Sequence, residues 1–178
     1  MNLQLQLLDK NRHDRGAFDC GVSAVNDFLR NSARQQMENR VNRTWVLTDA
    51  DHHDEGLCPI LGFFTLTSAT VMRSELPDAD TRKSFPMYPL PVIKLAWLGV
   101  ALPLQRSSMR LGETLLLEGL NAARNIVERS GLGIAVVTDP LTDDSECFFR
   151  HYGFAPMGRI FRERQTLFLS MKTLGLLK

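Results

Sequence analysis

The stretch that most constrains this chain runs from Leu95 to Asn121. An apolar run, Leu95–Ala101, ends in a polar and basic loop, Gln105–Arg110, and a helical pattern opens at Gly112. Leu111, Leu115, Leu116, Leu120, Ala123 and Val127 recur at the 3.6-residue period and mark one apolar helix face. Strand, basic loop and helix N-terminus in succession is a physical recipe for holding phosphate. The first amides of a helix have no acceptor within it, and the helix dipole is positive at that end. Ser107 and Ser108 let the backbone approach an anion, while Arg106 and Arg110 add charge. A buried strand joined to an ordinary amphipathic helix gives the same pattern, so this stretch alone leaves both readings open.

The totals narrow the class. At 178 residues, the chain reads as a single domain over 1–178 with room for a sizeable core. A net charge of +1, from 21 basic and 20 acidic residues, excludes a polybasic nucleic-acid coat but not a local basic groove. No run of about 18 apolar residues exists, so no membrane span is expected. The opening MNLQLQLLDKNRHDR lacks the features of a signal peptide. Cys20, Cys58 and Cys147 lie far apart with no CxxC pair, which suggests neither a disulfide framework nor a zinc site, and a cytoplasmic setting is expected. The turn DADHHDEG gathers His52 and His53 with Asp49, Asp51 and Asp54, but such loop tips are usually solvated, and no metal site is expected.

Periodicity supplies the order of elements. Leu3–Leu8 alternates leucine with polar residues, as a half-buried strand does. A helix over 22–36, capped by Asp19 or Ser23, places Val25, Phe28, Leu29 and Ala33 on one face. Residues 43–49 and 60–69 read as a hairpin, and 71–84 as a short helix or an ordered excursion. The prolines of 85–91 make that segment extended, leading into the strand at Leu95. After a helix at 112–129 come a short apolar strand at 134–138, a helix at 145–151, and a hairpin with strands near 159–163 and 167–171. The result is an α/β (α+β) chain, a mixed central β-sheet with helices on both faces.

Two stretches carry a specific resemblance. Phe18-Asp19-Cys20-Gly21, followed by Ala24, Asn26, Phe28 and Leu29, resembles the FDCG opening of the GNAT acetyltransferase toxins of bacterial type II toxin–antitoxin pairs. Cys147-Phe148-Phe149-Arg150-His151-Tyr152-Gly153-Phe154 is similar to their FY-x-x-x-GF segment. Pro91-Val92 before the central strand and Leu111-Gly112 at the helix start also fit. The likeness covers residues 5 to 171. It implies the GNAT fold, acetyl-CoA as acetyl donor, and acetylation of the free α-amine of an aminoacyl-tRNA, which stops translation. It also implies a ribbon–helix–helix antitoxin and a homodimer. A protein or small-molecule amine as acceptor, or a catalytically silent binding module, are the rival readings of the same fold.

The likeness assigns residues too. Leu98, Gly99 and Val100 correspond to the backbone that pairs with pantetheine. The family's diphosphate loop, (Q/R)-x-x-G-x-(G/A), falls on Ser107, Ser108, Met109, Arg110, Leu111 and Gly112, with Glu113 following and Gln105-Arg106 as an alternative polar head. Arg110 stands where the family has its middle glycine, which a side chain tolerates if φ there is negative. Thr142 sits near an asparagine that holds the CoA arm, and Phe148 packs along that arm or in the core. Phe149 occupies the position of the tyrosine taken as the acid that protonates the departing thiolate. A substitution that inactivates a toxin, a natural protein without this acid, and replacement by Tyr152 are the alternatives. Tyr152 lies about 300° round the helix from Phe149. For tRNA phosphates the candidates are Arg30, Arg34, Arg40, Arg43, Arg73, Arg82, Lys83, Arg159, Arg162 and Arg164.

Overall fold

A computed structural model describes residues 2–52 and 56–175. The strands form one mixed seven-stranded sheet in the order β1-β3-β5-β6-β7-β9-β8, beside a small two-stranded pair, β2-β4. Contacts divide the chain into two compact units, Met1–Thr67 with Trp97–Gly119, and Ser68–Ala96 with Leu120–Lys178.

In the first unit, β1 (Leu3–Leu7) runs antiparallel to β3 (Asn42–Asp49), which runs antiparallel to β5 (Gly62–Val71). The β3–β5 hairpin is the one expected over 43–69. Thr44 and Thr65 share a hydroxyl–hydroxyl bond of 2.8 Å inside it, so the two buried polar groups satisfy each other. β2 (His13–Asp14) and β4 (Cys58–Pro59) form a parallel pair too short for any periodicity to announce.

The expected helix over 22–36 is three pieces: α1 (Ser23–Asp27), a π turn at Phe28–Ser32, and α2 (Ala33–Glu38). A π turn is one residue inserted into a helix, and Phe28, Leu29 and Ala33 stay buried through it. Neither Asp19 nor Ser23 caps α1. The N-cap is Val22, without a side-chain bond. The Asp19 carboxylate is spent one turn earlier, accepting from the Gly21 amide and Asn26 Nδ2.

The second unit takes Leu90–Ala96 of β6 (Leu90–Val100), a strand that starts before the expected Leu95 and takes in Pro91. Proline is tolerated at a strand's beginning, and the Pro91 carbonyl accepts from Ile134 N–H. β6 pairs in parallel with β7 (Ala135–Thr138) through Ile93↔Val136 and Lys94↔Val137. β9 (Arg164–Ser170) lies antiparallel to β7, and β8 (Ala155–Phe161) antiparallel to β9. The strand expected to run through Glu163 stops at Phe161, because Arg162 and Glu163, with φ of 47° and 67°, form the two-residue turn that closes the hairpin. α4 (Leu111–Ser130), which the unit boundary divides after Gly119, ends at Gly131, whose φ of 70° supplies the left-handed stop. α5 (Asp143–His151) follows β7, with α3 (Ala79–Lys83) earlier and α6 (Met171–Leu174) last. Val71, Leu76, Leu90, Val92, Ala135, Val137, Met157 and Phe168 pack as this unit's core.

Among the described residues no helix is long and apolar enough to cross a membrane. No group of three or more His, Cys, Asp or Glu side chains there suits a metal. His53 and Asp54 of the DADHHDEG turn lie outside the described residues.

Candidate functional site

The FDCG segment is a fastening. Phe18 is buried with its ring edge-on to Phe63 at 5.3 Å. Asn26, also buried, donates to Asp19 Oδ1 at 2.7 Å and accepts from Cys20 N–H at 3.0 Å, which ties the turn to α1. Gly21 has φ of 80°, and a Cβ there would lie 3.0 Å from Leu102 Cδ2. The carbonyls of this segment hold the chain that follows β6. Leu102 N–H donates to Asp19 O at 2.9 Å, and Gln105 Nε2 donates to both Cys20 O and Val100 O at 2.8 Å. Each residue type therefore has a stated job: an aromatic anchor, an acid for the tight turn, a small buried thiol, and a glycine with positive φ.

Gly99 is packed as tightly. A Cβ there would stand 3.0 Å from Val25, 3.2 Å from Phe63 and 3.4 Å from Phe18. A Cβ at Gly62 would stand 2.9 Å from the Gly99 carbonyl. Leu98 is half-buried and Val100 buried, so this end of β6 presents backbone while its side chains serve the core.

Beyond β6, Leu102–Leu104 makes a 3₁₀ turn. Gln105 spends its amide nitrogen on the two carbonyls above, so it serves the loop's closure and has no N–H left for an anion. Ser107 Oγ donates to Leu104 O at 2.8 Å. Arg106 and Arg110 adopt φ of 54° and 49°. Arg110 thus takes a left-handed conformation, against the expectation of a negative φ. For a residue with a Cβ this costs about 1–2 kcal/mol. The first α4 bond, Thr114 N–H to Arg110 O, puts Arg110 at the N-cap, so the amides of Leu111, Gly112 and Glu113 precede the helical ladder. Leu111 is buried; Ser108 is exposed, and Met109, Gly112 and Glu113 are half-buried. Arg110 Nε meets Glu113 Oε2 at 2.6 Å, with the arginine side chain 66% exposed. That pair is surface-screened and worth little on its own, so an anion competes with Glu113 at small cost.

The second unit holds the remaining candidates. Thr142 is the N-cap of α5. Its hydroxyl accepts from Ser145 N–H at 3.1 Å, and Ser145 Oγ accepts from Thr142 N–H at 3.0 Å. Phe149 is buried, with ring centroids 5.4 Å from Phe148 and 5.5 Å from Phe154. Tyr152 forms the C-cap of α5 and lies edge-on to Phe148 at 5.1 Å. Phe148 is therefore the hinge of an aromatic row between the buried Phe149 and the half-buried Tyr152.

A further polar group sits at the carboxyl end of β7. Asp139 takes Lys94 Nζ on one oxygen and the Thr166 hydroxyl, at 2.5 Å, on the other. The Asp139 side chain is 9% exposed. Lys94 Nζ also lies 5.2 Å from the Phe161 ring, which Arg162 approaches at 5.4 Å. The signal for this cluster is the single charge in LPVIKLAWLGV: a lysine inside an apolar strand requires a partner.

Of the tRNA candidates, several are engaged within the chain. Arg159 forks onto Glu75 at 2.9 and 2.8 Å and donates to Thr70 O. Burial pushes the Glu75 carboxyl up, but Arg159 and the Met72 amide outweigh it and leave it below the usual range. Arg164 binds Asp143 at 2.7 Å and Glu146 at 3.5 Å. Arg30 donates to Phe18 O, Arg82 to Leu76 O, and Arg73 to Met87 Sδ. Arg34 and Lys83 pair with Glu38 and Asp80 on their own helices. Arg43 is exposed on β3, and Arg40, with φ of 58°, turns the chain after α2.

No family model matches the chain. It is 24% identical over 159 residues to the probable toxin TacT of Sinorhizobium fredii, covering 86% of this chain and 84% of that one. Among solved structures, a Tyr→Phe mutant of KacT superposes with a TM-score of 0.87 at 22% identity, covering 100% of both chains. AtaT complexed with acetyl-methionyl-tRNAfMet gives a TM-score of 0.84 at 25% identity and 99% coverage of each. AtaT and KacT are also similar in further states: AtaTR bound with AcCoA, AtaT bound to the C-terminus of the antitoxin AtaR, and KacTA bound to DNA.

Proposed function

We propose that this chain, which has the GNAT fold of the toxins KacT and AtaT, is an acetyl-CoA-dependent N-acetyltransferase that acetylates the α-amine of an aminoacyl-tRNA. The observation that carries the reading is the FDCG fastening. This segment, which resembles the opening of such toxins, docks by hydrogen bonds onto the loop that leads into α4, where a diphosphate would sit. The likeness to AtaT over 99% of both chains supports the same donor and acceptor classes.

The chemistry divides among the chain's own groups. Gln105, Gly21 and Asn26 fix the loop, so that the amides at Leu111, Gly112 and Glu113 are pre-oriented for phosphate. Acetyl-CoA supplies the thioester. The acceptor amine attacks its carbonyl carbon, the C–S bond breaks, and a proton must reach the leaving sulfur. Phe149 has no proton to give. The chain as it stands is a slow acetyltransferase, and Phe149→Tyr is the fast form. Repression through a ribbon–helix–helix antitoxin, and a cytoplasmic site of action, complete the reading.

The test incubates the chain and its Phe149→Tyr form with labelled acetyl-CoA and a full set of aminoacyl-tRNAs. Label on the α-amine, faster with tyrosine at 149, is expected. Label on a protein or free amine instead would move the acceptor class. Tight acetyl-CoA binding with no transfer by either form would make the chain a silent GNAT module, a reading that Phe149 itself favours.

A further inference from the structure

The Lys94–Asp139 pair differs from the surface ion pairs of the second unit. The aspartate side chain is 9% exposed and the lysine 28%. Its place in the chain gives it a use. Asp139 directly follows β7, and the short turn it opens ends at Thr142, the N-cap of α5. α5 is the helix that carries Phe149. Asp139 is therefore the root of the turn that sets where this helix begins.

That root is held from two strands. One carboxylate oxygen takes Lys94 Nζ from β6, and the other takes the Thr166 hydroxyl from β9. The residue before it is tied as well, since Thr138 Oγ1 donates to Leu95 O at 2.9 Å within the buried interior. A partly buried pair is screened far less than an exposed one and holds its geometry more firmly. The tethers further along are weaker. Arg164 reaches Asp143 at 2.7 Å and Glu146 at 3.5 Å, but the Asp143 side chain is 91% exposed. The reciprocal bonds of Thr142 and Ser145 order the first turn of α5 without fixing it to the sheet. From Asp143 to Phe149 the chain is continuous α-helix, so a tilt at the root is carried to the buried ring at 149.

We propose that Asp139, held by Lys94 and Thr166, is a positioning residue for the side chain at 149. It touches none of the reacting atoms. It sets α5 so that a tyrosine hydroxyl introduced at 149 meets the departing sulfur. This role rests on the acetyltransferase reading above and concerns its last step. The C–S bond breaks, the sulfur leaves with the electron pair, and the phenolic proton passes to it. The acceptor nitrogen gives its surplus proton to water, and the phenolate recovers one from the same pool.

The experiment measures transfer from labelled acetyl-CoA to a full set of aminoacyl-tRNAs. Its readout is the gain from Phe149→Tyr, the ratio of kcat with and without that change, in the parent and in Lys94→Met and Thr166→Val backgrounds. A well-placed acid is worth about 10²–10⁴-fold. With Lys94→Met the gain is expected to shrink about tenfold or more, since a misplacement of ~1 Å can cost about 10²-fold, while KM for acetyl-CoA stays unchanged. A merely structural loss would slow the phenylalanine and tyrosine forms alike and leave the ratio intact. Thr166→Val removes one hydroxyl and keeps the ion pair, so it serves should Lys94→Met misfold, and a smaller loss of the gain is expected from it. Lys94→Arg, which keeps the cation, should retain more of the gain than Lys94→Met. A gain undiminished in Lys94→Met and Thr166→Val, or a Phe149→Tyr form no faster than the parent, would overturn the proposal and leave the acetyltransferase reading standing. No transfer by the parent or by its Phe149→Tyr form would overturn both.

Discussion

Arg110 holds a left-handed backbone conformation, with φ of 49°, although it carries a Cβ. Arg110→Gly is expected to raise stability by up to about 1 kcal/mol, since the Glu113 pair it forfeits is exposed and the left-handed strain it relieves is larger. Urea unfolding reads this directly, and Arg110→Ala, which keeps the Cβ, should show no gain. Asp139 is the opposite case, a residue whose importance lies in being surrounded. Lys94→Met leaves its nearly buried carboxylate with the Thr166 hydroxyl alone, and a loss of about 2–4 kcal/mol is expected. Pairing Lys94→Met with Asp139→Asn should recover part of that loss, which a double-mutant cycle measures.

Among the elements, those with a long period were legible and those set by a single turn were not. α4 lies within one residue of its expected bounds at each end, because its apolar stripe repeats over five turns' worth of sequence and Gly131 stops it. The β3–β5 hairpin followed from two strand-like apolar runs joined by a polar turn. The π turn at Phe28–Ser32 was invisible, since the apolar spacing around it fits a plain helix as well. The early start of β6 was hidden by Pro91, which reads as a strand breaker until its carbonyl is seen to be the group that pairs. For the site, the FDCG residues were legible only as a resemblance. Their reason, the hold on Leu102 and Gln105, needs coordinates. That hold gives an element-level expectation: Gln105→Leu strands the Cys20 and Val100 carbonyls and costs about 1–3 kcal/mol. Calorimetry should also find weaker acetyl-CoA binding in Gln105→Leu, because the loop before α4 loses its tether. Unchanged affinity would mean that the loop is held by Leu102 and Asp19 alone.

For the whole molecule, the buried and paired titratable groups set how stability responds to pH. His13 is 2% exposed. Its Nδ1 accepts from Asp9 N–H at 2.9 Å, leaving Nε2 to donate to Gln6 Oε1 at 3.2 Å. Burial, with the Arg12 charge beside it, pulls the imidazole below its ordinary value of 6.5, and protonating Nδ1 would break the bond from Asp9. The unfolded chain therefore takes up a proton near pH 6.5 that the folded chain refuses, and stability falls as pH drops below that point. Glu75, Asp19 and Asp78 have carboxyls held below the ordinary carboxylate range, so each contributes stability above its unfolded value and loses it as the solution becomes more acid. Both effects have the same sign. The stability curve is expected to be flat above neutrality, to step down once through the histidine range, and to step down again among the carboxylates. Chemical denaturation across pH 2 to 8 measures this, and His13→Gln, which keeps a hydrogen-bonding amide but cannot titrate, should erase the upper step while leaving the lower one. An upper step that persists in His13→Gln would assign it to a group other than the imidazole under β1.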